Sequence, residues 1–95
     1  MIRHIVLFGA AEGTTREALD ETAGALEALV GKVPGLLSMK AGADLGIDGN
    51  AALGLVAEFE DRAALDVYAT HPAHLEVVAL VARFKTSRAA IDIEV

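Results

Sequence analysis

Ile2-Arg3-His4-Ile5-Val6-Leu7-Phe8 opens the chain with five apolar residues in seven. Side chains alternate across a strand, so Ile2, Val6 and Phe8 share one face with His4, while Ile5 and Leu7 occupy the other. Both faces are apolar, which predicts a strand covered on both sides. The apolar run extends only from Ile5 to Ala11, between His4 and Glu12, and reads as a strand in preference to a signal peptide. No later stretch approaches a membrane span either, since Val77 to Ala82 ends at Arg83.

Beyond this strand, Gly9 to Gly13 interrupts the pattern, and Thr14 with Glu17 three residues on has the spacing of a capping box. Leu19, Ala23, Leu26, Leu29, Val30 and Val33 then recur at helical intervals, with Glu17, Asp20, Glu21 and Glu27 forming a solvated face. Pro34-Gly35 stops the helix, and Leu36 to Ala43 is expected as a second strand with Leu37, Met39 and Ala41 on one side. Asp44 to Asn50, with two glycines among Asp and Asn, joins it to a third strand. There Leu53, Leu55, Ala57 and Phe59 alternate with Gly54, Val56, Glu58 and Glu60, and Gly54 either admits a ligand or relieves crowding beneath a helix. Asp61 caps a helix carrying Leu65 and Tyr68. Pro72 prevents smooth passage through His71, so a further helix restarts there, reaches about Phe84, and buries Leu75, Val78 and Val81 or Ala82. Ile91, Ile93 and Val95 alternate with Ala90, Asp92 and Glu94 in a last strand.

Four strands with helices after the first and third predict an α+β fold, a ferredoxin-like β-α-β-β-α-β sandwich with an antiparallel four-stranded sheet. Its helices cover one sheet face, and Ile5 and Leu7 would lie on the bare one at a cost of about 1.5 to 3 kcal/mol each. A homodimer forming a dimeric α+β barrel relieves that cost. Ninety-five residues accommodate one domain, 1–95, whose small core benefits from a partner. The high mean hydropathy of +0.45 points the same way. A net charge of −6 without any basic cluster argues against nucleic acid and membrane surfaces as partners. The absence of cysteine excludes disulfide and thiolate chemistry and fits a cytoplasmic setting.

The opening M-I-R-H-I-V-L-F, the Gly13-Thr14-Thr15 helix start, Val33-Pro34-Gly35, Glu58-Phe59-Glu60-Asp61 and above all Tyr68-Ala69-Thr70-His71-Pro72-Ala73-His74 resemble the stress-responsive α/β-barrel (Dabb) family over essentially the whole chain. The resemblance implies the dimeric α+β barrel superfamily. In a plant polyketide cyclase of that family, residues matching His4, Tyr68 and His74 carry an aldol ring closure, so a cofactor-independent cyclase or lyase activity is implied here. The chain departs from the family at Gly9-Ala10-Ala11, where Lys and aromatic residues are common, and the departure bears on pocket shape.

The residues themselves leave two readings at each position. His74, in the first turn of its helix, stays neutral beside unsatisfied amides and is either a base for a proton next to a carbonyl or a packing residue. Tyr68 either donates a hydrogen bond to an oxygen gaining negative charge or is an amphipathic core residue. His4 either bonds a backbone group within the core or orients a ligand. With these three, Val6, Phe8 and Leu75 are expected to line a small apolar pocket for a small hydrophobic carbonyl compound. His71 is expected to order the helix junction. A metal set of His71, His74 and Glu76 or His4 is disfavoured because Pro72 breaks the helix that would align it; no metal and no cofactor are expected. The alternatives are a non-catalytic ligand-binding or stress-related structural dimer, and a monooxygenase of the same superfamily, for which the chain is poor in aromatics and has no Trp.

Overall fold

The computed structural model describes all 95 residues, Met1–Val95. Strand β1 (Ile2–Ala10) lies inside the sheet, antiparallel to both neighbours, with β3 (Leu53–Phe59) on one side and β4 (Lys85–Glu94) on the other. β2 (Leu36–Ala43) pairs antiparallel with the outer edge of β3, giving the order β2-β3-β1-β4. Helices α1 (Arg16–Glu27), α2 (Arg62–Thr70) and α3 (Pro72–Ala82) complete a ferredoxin-like β-α-β-β-α-β fold whose second helical segment is divided. None of the helices is long and apolar enough to cross a membrane.

The alternation of β1 and β3 governs which residues meet the helices. His4, Val6 and Phe8 are buried, and they pair in register with Ala57, Leu55 and Leu53, which are buried too. The opposite face carries Ile5, Leu7, Val56, Ile91 and Ile93, and of these Leu7 is 49% exposed and Ile91 55%. Gly54 belongs to this second face and not beneath a helix. It lies opposite Leu7, whose Cδ2 would stand 3.3 Å from a Cβ added there, so the glycine makes room for the leucine.

Local chemistry sets the element ends, in several places differently from the expectation, and β4 begins at Lys85, five residues before the expected start at Ala90. The cap of α1 is Thr15, whose hydroxyl accepts from the Ala18 amide at 3.1 Å, because Thr14 is already donating to the Ala11 carbonyl at 2.6 Å. The regular part of α1 ends at Glu27; the chain continues in turns, with Gly31 at φ +91, so Leu29 and Val33 reach the core while Val30 faces outward. In β2 the register against β3 slips between Leu36 and Ser38. That bulge turns Leu36 inward in place of Leu37, which is 45% exposed. The Asp61 carboxylate accepts from the Ala64 amide at 2.8 Å and starts α2 as expected. His71 then takes an extended conformation (φ −65, ψ 134), and its Nδ1 accepts from the Ala73 amide at 3.1 Å, capping α3 with Pro72 in the first turn.

The bulge has a measurable signature. Leu36→Ala is expected to cost about 2 to 5 kcal/mol in urea unfolding, the range for a truncated core leucine, whereas Leu37→Ala is expected within about 0.5 kcal/mol of the unmodified chain. Comparable losses at both positions would contradict the inward turn of Leu36.

Candidate functional site

The extended His71 breaks the helical path so that the last turn of α2 and the first turn of α3 meet over β1. Tyr68 and His74 come together there, with ring centroids 3.9 Å apart and planes tilted by 30°. Phe59 of β3 backs the tyrosine at 4.9 Å, and His4 of β1 meets it edge-on at 6.0 Å. His4, Tyr68 and His74 border a cavity of about 90 Å³. Val6 and Phe8 form its floor, Leu26 of α1 and Leu55 of β3 contribute to its walls, and Val77, Val78 and Val81 of α3 line it beside His74. Lys85 and Arg88 of β4 complete the lining, and both are exposed. At about three times the share of liquid volume taken by one water, the cavity suits a compound of a few heavy atoms.

His4 is 7% exposed, and its partner is a carboxylate, not a backbone group: Nδ1 donates to Asp92 Oδ1 at 2.5 Å. Asp92 sits directly opposite His4 in the β1–β4 register. With Nδ1 so engaged, Nε2 is the ring nitrogen left for another partner.

His74 Nδ1 is the one buried side-chain nitrogen or oxygen without a hydrogen-bond partner. Burial holds the imidazole below the usual histidine range, and the charges that His4 and Arg88 can carry push the same way; the nearby Ala69 and Tyr68 carbonyls pull back without completing a hydrogen bond to Nδ1. The Tyr68 hydroxyl is pushed up to about 12 by burial, with Arg88 acting in the opposite sense. At neutral pH the pair is therefore a neutral imidazole beside a protonated phenol.

Of the residues expected at the site, His4, Val6, Phe8, Tyr68 and His74 all border the cavity. Leu75 does not: it is 50% exposed on the outer side of α3. The stripe that lines the cavity is His74, Val77, Val78 and Val81, a set at i, i+3, i+4 and i+7. His71 is occupied as the cap of α3, and no three acidic or histidine side chains converge as a metal set. Asp92, Lys85 and Arg88 were not expected. Alternation in the last strand separates Asp92 from Ile91 and Ile93, and a ferredoxin-like strand order places it beside His4, so Asp92 had a signal; the two cations had none.

Residues 2–95 match the family described as Stress Responsive A/B Barrel Domain. A dimeric ferredoxin-like protein of unknown function from Thermobifida fusca is 30% identical, with 99% of this chain and 90% of that one covered and a TM-score of 0.87. A dimeric protein of unknown function and ferredoxin-like fold from Bacteroides fragilis is 28% identical, with 99% and 95% covered and a TM-score of 0.89. The hydroxynitrile lyase from Passiflora edulis shares the fold at 17% identity, with 99% and 92% covered and a TM-score of 0.82. No curated protein matches the chain.

The depressed His74 ties stability to pH. An unfolded chain takes up a proton at this histidine near pH 6.5, while the folded chain resists it, so this contribution is complete above that value and is lost as pH falls toward the lower folded pKa. Unfolding free energies are expected to drop more steeply below about pH 6.5 in the unmodified chain than in His74→Gln. Parallel curves would show that burial does not depress the histidine. Tyr68 acts at the other end: its contribution is lost as pH rises from about 10, the unfolded value, through about 12.

Proposed function

The chain belongs to the stress responsive A/B barrel domain family, and from this premise we propose a homodimer in which each protomer performs cofactor-independent acid–base chemistry, of the aldol-cyclase or lyase kind, on a small, largely apolar carbonyl compound. The observation that carries the reading is His74, whose buried Nδ1 lacks any partner while its ring stacks on Tyr68 at the cavity wall.

A neutral imidazole has a lone pair to accept a proton, and burial keeps His74 in that form. In the proposed reaction His74 removes a proton from the carbon next to a carbonyl, and the electrons of the C–H bond pass into the carbonyl oxygen. Tyr68 retains its own proton and donates a hydrogen bond to that oxygen as it gains negative charge. The enolate carbon then bonds to a second carbonyl carbon, and the imidazolium returns its proton to the new alkoxide, so the protein finishes unchanged. The same steps in reverse cleave a carbon–carbon bond. His4, anchored by Asp92, is the orienting group, with Nε2 as the acceptor for a substrate hydroxyl. Val6 and Phe8 hold the apolar part. That a hydroxynitrile lyase is built on this fold is compatible with lyase chemistry on the scaffold.

The dimer follows from the helix-free sheet face, where Ile5, Leu7, Val56, Ile91 and Ile93 form one apolar surface. Two similar proteins are described as dimeric. A second copy of the same face is self-complementary about a twofold axis.

Deuterium exchange at the carbon next to the carbonyl of butanone isolates the first step. The unmodified protein is expected to accelerate it, His74→Ala to abolish the acceleration, and Tyr68→Phe to reduce it about a hundredfold, in line with loss of one oxyanion donor, with circular dichroism unchanged. Exchange no faster with the protein than without it would overturn the reading.

A further inference from the structure

We propose that Arg88 and Lys85 form an anion-binding rim at this cavity and that its ligand is a small carbonyl compound bearing a carboxylate, a short keto acid. The inference rests on the reading of the cavity as a carbonyl site and extends it to the charge of the substrate.

Both side chains line the cavity, yet a regular strand would not place them there together. Residues 85 and 88 differ by an odd number and would point to opposite faces of β4. The register against β1 resolves this: Phe8 pairs with Arg88, Gly9 with Ser87, and Ala10 with Lys85, so Thr86 is the additional residue of a bulge. Phe8 is buried and Ala10 packs against the core, and each cation lies opposite one of them, on the helix side of the sheet. Gly9 leaves room for the hydroxyls of the bulge. A Cβ there would meet the Ser87 hydroxyl and stand 2.8 Å from the Thr86 hydroxyl oxygen. The departure from the family pattern at Gly9-Ala10 thus coincides with the bulge that brings both cations to one mouth.

Neither cation is neutralised within the chain. The ion pairs are Arg3 with Glu58, His4 with Asp92, Arg16 with Asp20 and Lys40 with Glu27, and none includes Lys85 or Arg88. In a chain of net charge −6, two of the eight Lys and Arg side chains are unpaired at the edge of the same apolar cavity. No carboxylate lines the cavity, and Asp92 is engaged by His4. Arg88 also acts electrostatically on both Tyr68 and His74, which places its charge near the groups of the acid–base pair.

The chemistry of the two heads points to a carboxylate. A guanidinium presents a planar fork that a carboxylate meets with two parallel hydrogen bonds, and an ammonium adds a compact point charge. The cavity, about 90 Å³, takes the short carbonyl-bearing body, and the charged group remains at the wet mouth with Arg88 and Lys85. Apolar walls below and cations above select an anionic head joined to a small apolar tail.

Titration of the unmodified protein with 2-oxobutanoate, its neutral methyl ester and inorganic phosphate, followed by NMR of the histidine side chains, tests the inference through affinity. The keto acid is expected to bind about ten- to a hundredfold tighter than the ester, the advantage of a charge-assisted hydrogen bond, and to weaken with added salt. Arg88→Gln, at an exposed position, is expected to remove that preference; Lys85→Gln is expected to reduce it. Equal affinity for acid and ester, a preference that survives both substitutions, phosphate binding as tight as the keto acid, or no keto-acid binding at millimolar concentration would each overturn the inference. Deuterium exchange on bound 2-oxobutanoate separates the two proposals: Arg88-dependent binding without His74-dependent exchange leaves the rim and removes the acid–base reading.

Discussion

The fold depends on one strand that is apolar on both sides and hydrogen-bonded along both edges. β1 receives β3 on one side and β4 on the other, so its two faces become the two working surfaces of the sheet. The face with His4, Val6 and Phe8 is sealed by helices and holds the cavity; the face with Ile5 and Leu7 has no helix above it. A one-residue slip in either pairing would exchange these surfaces, placing a histidine among the apolar residues of the bare face and two aliphatic side chains under the helices. The aromatic packing of Phe59 and the seating of Leu7 over Gly54 oppose such a slip from opposite sides of the sheet.

The site arises where regular structure is interrupted. At the α2–α3 junction, Pro72 and the extended His71 end one helix and start another, bringing Tyr68 and His74 into contact from adjoining turns. At the end of β1, a bulge opposite Gly9 and Ala10 sets Lys85 and Arg88 on one face. Between these two irregularities lies His4, fixed by Asp92 of the edge strand. Functional groups gather at bulges and helix breaks because a side chain there is re-aimed without disturbing the regular elements that hold it. The unpartnered Nδ1 of His74 is the cost such a site carries, since a buried nitrogen without a hydrogen bond gives up its hydration with nothing in return.

Much of this was legible in the sequence because it follows from local periodicity. Alternation alone places Leu53, Leu55, Ala57 and Phe59 inward, and Asp61 and Pro72 mark their helix starts by chemistry that needs no tertiary information. The misreadings lie where two adjacent residues are equally suited and a distant contact decides. Thr14 and Thr15 can both cap α1, and the Ala11 carbonyl claims the first. Leu36 and Leu37 can both face inward, and the slipped register with β3 selects Leu36. α3 is apolar around most of its circumference, so no stripe stands out; the position of His74 against Tyr68 selects Val77 over Leu75. The association of Arg88 with Lys85 depends on a bulge in a pairing between the two ends of the chain, which no local pattern encodes.

The proposed second copy on the bare face ties these surfaces together, for without it β1 would present half of its apolar character to water. Sedimentation equilibrium at micromolar concentration measures this directly. The purified protein is expected at twice the 9.9 kDa of a single chain, and Leu7→Asp, which sets a charge at the centre of that face, is expected to shift it toward one copy. A well-folded species of 9.9 kDa from the unmodified sequence, with Leu7 and Ile91 in solvent, would contradict the dimer and the account of why β1 is apolar on both sides.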